Sequence, residues 1–184
     1  IYKRNMMNDF FEDRKYKRND GSIYTGTFFD GFPQGNGREI FIDGSFFEGY
    51  YYNGKKKKGR FEWKYCNSYQ GDFENNIFEG IGTYKWSGEK KMYEGEWKGG
   101  KITGNGKMTY EDGSYYDGDF LEGKKHGKGK YVWGVCNYYK GDWKNDKQEG
   151  FGIYYRNGKI VKGCWNDGKL INNISFSSRC KTKY

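Results

Sequence analysis

Alanine is absent from the 184-residue chain, and proline and histidine occur once each. The residues that abound in place of alanine, namely Lys, Asn, Tyr, Phe and Ile, all have A/T-rich codons, the composition of an AT-rich genome such as some protists have. No apolar run approaches the roughly 18 residues that would span a bilayer, and no charged n-region followed by an apolar stretch marks a signal peptide. The chain opens on Ile1 and not on Met, so the missing leader carries no weight, and a cytoplasmic address is the default expectation. The four cysteines form no C-x-x-C pair, which removes the usual zinc and redox motifs and points to reduced thiols. With one histidine, His126, in a Lys-His-Gly context that reads as a hairpin tip, neither a metal cluster nor a histidine-based catalytic centre finds its residues. No catalytic residue, metal or cofactor is therefore expected, and the chain is read as a non-enzyme.

Aliphatic residues are scarce too. Only 34% of the chain is hydrophobic while 21% is aromatic, and the mean hydropathy is −1.15, so its apolar surface comes from rings and a thick globular core is excluded. Thirty glycines accompany those rings at a fixed period. An aromatic-x-Gly unit begins at Tyr24, Phe47, Tyr69, Tyr93, Tyr116 and Tyr139, and with valine at Val161, at spacings of 22 to 24 residues. Four positions after each origin stands Phe28, Tyr51, Phe73, Trp97, Phe120, Trp143 or Trp165. Spacings of two and four put ring, glycine and ring on one face of a strand. Seven positions after the origin only Gly, Asn or Asp appears, the residues that tolerate positive φ, so the strand ends there in a turn. A second strand opens on a glycine such as Gly59, Gly82, Gly106 or Gly129, and carries alternating bulky residues that include Trp63, Trp86, Tyr110, Trp133 and Tyr154. Each repeat predicts a hairpin. The G-N-G sequences at Gly35–Gly37 and Gly104–Gly106 resemble a fragment of a phosphate-binding loop, but a strand follows them where such a loop needs a helix.

The stretch from Tyr93 to Tyr116 resembles the MORN (membrane occupation and recognition nexus) repeat almost position for position, and the likeness covers about residues 21–170 as six full repeats and a truncated seventh. Residues 14–23 read as half a repeat at the end of a charged segment, 1–20, and a basic tail occupies 171–184. The second repeat departs from the pattern with Lys56-Lys57-Lys58 where G-x-G begins, and the sixth ends its second strand on Arg156. The fold expected is all-β: an elongated, twisted, single-layer antiparallel array of tandem β-hairpins held by neighbouring rings. What the resemblance implies for function is a structural scaffold that binds protein partners, or itself, in cytoskeletal, axonemal or membrane-apposed assemblies. The alternative is a phospholipid-binding or regulatory segment of a larger enzyme such as a phosphatidylinositol phosphate kinase.

The net charge of +9 sits mostly in the two ends. Within the array, acidic residues such as Glu48, Asp72, Glu96, Asp119 and Asp142 and basic ones such as Arg38, Arg60 and Lys107 occupy outward strand positions, the arrangement for cross-strand pairing. Nucleic acid is not expected as a partner. The candidate protein-binding face comprises the rings Phe28, Tyr51, Trp63, Phe73, Trp86, Trp97, Tyr110, Phe120, Trp133, Trp143, Tyr154 and Trp165. A candidate edge for weak contact with anionic lipid comprises Lys55, Lys56, Lys57, Lys58, Lys101, Lys124, Lys125 and Lys128. The seventh unit reads as lacking a second strand, so the carboxy-terminal repeats are expected to mediate self-association or partner docking across an open sheet edge.

Overall fold

The computed structural model describes residues 12–173 apart from Glu89, and among these residues every regular element is a strand. The chain divides into two compact units, residues 1–77 and 78–184. The first holds β1 (Glu12–Lys17), β2 (Ile23–Phe29), β3 (Phe32–Ile40), β4 (Phe46–Tyr52), β5 (Lys55–Glu62) and β6 (Ser68–Glu74). The second takes up β7 (Ile77–Lys85), β8 (Met92–Lys98), β9 (Lys101–Thr109), β10 (Tyr115–Leu121), β11 (Lys124–Trp133), β12 (Asn137–Lys144), β13 (Lys147–Arg156), β14 (Lys159–Asn166) and β15 (Lys169–Asn173). Within each unit every strand pairs antiparallel with the next in chain order. At the start, where a half repeat was expected over residues 14–23, β1 pairs with β2 from Glu12↔Phe28 to Lys17↔Ile23. The seventh unit differs from expectation. It has a second strand, β15, which pairs with β14 although it carries neither the G-x-G sequence nor the rings of the other copies.

The origin strands end in two-residue turns with both residues at positive φ, such as Asn53 (46°) with Gly54 (74°) and Asn145 (50°) with Asp146 (69°). That is the primed turn whose twist matches paired strands, and it explains the restriction to Gly, Asn and Asp at the seventh position. The turns also tie consecutive hairpins together. The Gly123 N–H donates to the Ile102 carbonyl at 2.8 Å, and the Asp146 N–H to the Lys125 carbonyl at 3.0 Å.

The strand glycines face one another across the sheet, for example Gly95↔Gly106. A Cβ on Gly106 would stand 2.4 Å from the Tyr93 hydroxyl, so the missing side chains are what allow the Tyr93 ring to lie flat over the two strands. That hydroxyl then donates to the Glu96 carbonyl at 3.0 Å, and Tyr24, Tyr69, Tyr116 and Tyr139 repeat the bond to the carbonyl three residues on.

The core is a chain of edge-to-face rings. In the first unit Tyr24 meets Phe28 and Tyr51, and Phe47 meets Tyr51 and Phe73, at centroid distances of 5.0 to 5.2 Å. In the second unit the chain runs Trp97, Tyr93, Phe120, Tyr116, Trp143, Tyr139, Trp165 at 5.0 to 5.4 Å. Tyr24, Phe47, Tyr93, Tyr116 and Tyr139 each touch the later ring of their own repeat and that of the next, which couples neighbours by about 0.5–1.5 kcal/mol per pair beyond burial. Stability is thus built from nearest-neighbour contacts.

Candidate interaction face

The twelve rings proposed as a binding face separate into two sets. Phe28, Tyr51, Phe73, Trp97, Phe120, Trp143 and Trp165 are at most 7% exposed and belong to the ring chain just described. They hold the fold and offer little surface to a partner. The second-strand rings Trp63, Trp86, Tyr110, Trp133 and Tyr154 are half-buried on the same side of the sheet. They pack within the layer, as Trp63 does on Phe61 at 4.6 Å, Trp86 on Tyr84 at 4.7 Å and Trp133 on Tyr154 at 5.4 Å. Because each unit is one layer deep, the outer edges of these rings meet solvent.

Two of the eight lysines assigned to a lipid-facing edge turn into this aromatic side. Lys56 replaces the apolar residue found nine positions after the origin in other repeats, such as Phe78 and Ile102, and its ammonium lies 5.2 Å from the Phe41 ring centroid and 5.3 Å from that of Phe47. Its charge is met by Glu39, 1% exposed, at 2.8 Å. Glu39 also accepts from Tyr51 Oη at 3.2 Å and pairs with Arg18 at 3.0 Å. Burial, and after it the Glu39 charge, pushes the Tyr51 phenol far above its ordinary range. The second repeat has in effect moved its hydroxyl from the origin, where Phe47 has none, to Tyr51, where the carboxylate needs it. Lys125 stands at the equivalent place in the fifth repeat, 4.9 Å from the Tyr131 ring and 5.1 Å from that of Trp143. Burial holds its ammonium below the usual lysine range, with Asp146 opposing.

The remaining edge lysines are largely neutralised: Lys57 pairs with Glu74, Lys58 with Asp72 at 3.2 Å, Lys101 with Glu122 at 3.2 Å, and Lys128 with Asp142. Lys55 donates to Asn75 at 2.6 Å, while Lys124 is exposed. Cross-strand pairing also holds for Arg38 and Glu48, at 3.4 Å.

Glu96, Asp119 and Asp142 do something the sequence pattern did not reveal. Each accepts a backbone N–H at a bulge of the facing strand: Asn105 to Glu96 at 2.8 Å, Lys128 to Asp119 at 2.8 Å and Phe151 to Asp142 at 3.0 Å. The first glycine of G-x-G makes that bulge, with φ of 54° at Gly104, 55° at Gly127 and 59° at Gly150. In the fourth repeat the amide that a phosphate would need is therefore occupied by the chain's own carboxylate, which removes the phosphate-loop reading of Gly104–Gly106.

His126 lies within β11, not in a turn, and its Nδ1 is buried without a hydrogen-bond partner. Among the described residues no group of three His, Cys, Asp or Glu side chains is placed to hold a metal ion. Cys66 and Cys136 are free and exposed. Cys164 is disulfide-bonded, which corrects the expectation of four reduced thiols; its partner falls outside the described residues. A shallow groove of about 770 Å³ on the opposite side of the first unit is lined by Asp13, Thr27, Asn36, Arg38 and Glu48 among others, and in it the exposed Thr27 hydroxyl donates to Asp13 at 2.9 Å with no histidine beside them. No helix among the described residues is long and apolar enough to cross a membrane.

A single layer of hairpins with a glycine seam and a ring chain defines a class of repeat proteins, and comparison places the chain within it. The MORN repeat family matches residues 24–46, 69–88, 93–115, 116–134 and 139–160, more than half of the chain, which therefore belongs to that family. The intervals without a match include the second repeat, with Phe47 and Lys56, and the seventh, with Val161. The chain is also similar to MORN repeat-containing protein 3 of Xenopus laevis, 41% identical over 46 residues, or 25% of this chain and 19% of that protein. The match thus spans about a fifth of that relative's length.

Proposed function

We propose that this chain is a non-enzymatic scaffold that binds partner proteins through the half-buried second-strand rings Trp63, Trp86, Tyr110, Trp133 and Tyr154. The observation that carries the reading is the division of rings: one set is consumed by the core and the other keeps an unshielded edge in a sheet with no second layer. Trp and Tyr anchors of this kind dominate interface energies. Membership of a repeat family that serves as an interaction module supports the same reading. The setting it fits is a cytoskeletal assembly or the cytoplasmic face of a membrane, where the scaffold holds other components in register. Self-association belongs to the same proposal, with β15 as the docking edge: all five of its residues are exposed, including Leu170 and Ile171.

The test is co-purification from the source cell with the intact chain and with a Trp86→Ser/Trp133→Ser variant of unchanged melting temperature. Loss of the same partners from the variant supports the proposal. Retention of every partner, or turnover of a nucleotide, lipid or peptide substrate by the purified protein, contradicts it.

A further inference from the structure

The face of the second unit opposite the ring chain changes character along its length. In its first strands acidic and basic residues alternate, with Glu94, Lys107 and Asp117 opposite one another on β8, β9 and β10. Beyond the glycine line Gly129–Gly141–Gly152–Gly163 this alternation stops. Residues 130–140 and 153–162 contain no Asp or Glu, and of their basic residues Lys130, Lys140 and Lys162 fall on this face while Arg156 and Lys159 share the side of Tyr154. Lys130 and Lys140 are direct cross-strand partners, and next along that row come Ile153 and Lys162. Like charges placed directly opposite each other disfavour a sheet, so an anionic partner over this pair is favoured. No carboxylate of the described residues makes an ion pair with either lysine; Asp117, across from Lys130 on β10, is the nearest in register.

One row nearer the turns the same face is apolar. Val132, Tyr138, Tyr155 and Ile160 are successive cross-strand partners on β11, β12, β13 and β14, and Ile160 is 59% exposed. An apolar row beside a row of cations on the solvent side of a one-layer sheet is not needed to hold the layer together, which the rings on the other side already do.

We infer that this surface docks an acidic, extended segment of a partner protein, whose carboxylates lie over Lys130 and Lys140 and whose apolar side chains lie over Val132, Tyr138, Tyr155 and Ile160. Charge complementarity selects the occupant. A nucleic acid fits poorly because a base needs a free ring face to stack on, whereas an apolar side chain can pack on ring edges: Tyr138 has the Lys130 ammonium over it at 4.7 Å and stacks on Tyr155 at 5.4 Å with planes 16° apart. A bilayer fits poorly because the apolar strip is one residue wide and about 14 Å long over four strands, the footprint of a single chain segment. The site stands on the opposite side of the sheet from the tryptophans of the scaffold reading and does not depend on it.

The test uses the full chain and a fluorescein-labelled random copolymer of glutamate and tyrosine, with polyglutamate, oligothymidylate and phosphatidylserine vesicles as comparison ligands. The copolymer should bind saturably, more tightly than polyglutamate, and less tightly as salt rises. Lys140→Glu should weaken it about tenfold, and Tyr155→Ser by a comparable factor, while Lys98→Glu, an exposed lysine elsewhere in the unit, should leave it within about twofold. Circular dichroism and melting of each variant confirm that the sheet is intact. Absence of saturable binding, indifference to Lys140→Glu in a folded variant, or tighter binding of oligothymidylate or of the vesicles overturns the proposal.

Discussion

Lys56 and Lys125 occupy the same position in their repeats, nine residues after the origin ring, and both point into the aromatic side of the sheet. Only Lys56 has a buried carboxylate, Glu39, at 2.8 Å. The same substitution should therefore have opposite consequences. Lys56→Met leaves Glu39 with only the half-buried Arg18 as a cation and should cost about 3 kcal/mol, whereas Lys125→Met replaces a desolvated cation by the kind of apolar side chain found at Ile102 and should be neutral or stabilising by about 1 kcal/mol. Urea midpoints of the two variants check this directly, and equal losses would show that the ion pair is not what distinguishes the sites.

Glu122 is the odd residue among the turns. Its φ is 50°, and at the same place the other repeats use Asp30, Asn53, Asn75, Gly99, Asn145 and Asp167. A long side chain gains nothing from the left-handed conformation, and its pairing with Lys101 is between two well-exposed groups. Glu122→Asn should raise stability by about 0.5–1 kcal/mol, read as a higher urea midpoint with an unchanged slope.

Alkaline pH should unfold the protein through its tyrosines. Burial pushes Tyr24 and Tyr110 up to about 12 and raises Tyr93, Tyr116 and Tyr139 further. An unfolded phenol ionises near 10, so above that pH the folded state holds more protons than the unfolded one. The contribution of these groups to stability is complete below about pH 10 and is lost as the pH rises toward 12. Lys125 acts with the opposite sign, since a lowered lysine pKa costs stability at neutral pH and the cost fades as the pH rises through its folded pKa toward 10.5, but it is one group against several. Denaturant midpoints from pH 8 to 11.5, followed together with phenolate absorbance, should show that the share of phenolate absorbance belonging to the buried rings appears only with unfolding, apart from that of exposed tyrosines such as Tyr52 and Tyr65. Complete ionisation of all the tyrosines in a still folded protein would contradict the burial of these rings.

Much of the fold was legible because its signals are local and repeated. The period, the restriction to Gly, Asn and Asp at the turn, and the alternation of ring and glycine each specify a strand or its end without reference to the rest of the chain. The hidden features depend on partners far apart in sequence. Glu39 takes a place that holds Phe61, Tyr84 or Tyr131 in other repeats, and nothing short of the register shows that Arg18, just after β1, and Lys56, on β5, converge on it. Glu96 and Asp119 looked like solvated cross-strand charges because their outward position was correct, but the bulge that brings a backbone N–H to each arises from the facing strand. β15 was missed since Lys169–Asn173 has none of the repeat's markers and forms by pairing with β14 alone. As for the candidate face, the sequence suggested its rings but not their division, which follows from how origin rings such as Tyr93 and Tyr116 wedge between two later ones.

That division gives the most direct test of the scaffold account, because it splits the six tryptophans three against three. Trp97, Trp143 and Trp165 lie in the ring chain, and Trp63, Trp86 and Trp133 lie half-buried beside it. Oxidative footprinting read by mass spectrometry, on the free protein and on its complex with a co-purified partner, measures each one separately. The account predicts that Trp63, Trp86 and Trp133 are modified in the free chain and that at least Trp86 and Trp133 are protected in the complex, while the other three are inert in both; equal modification of all six, or a complex that leaves Trp86 and Trp133 as reactive as before, would contradict it.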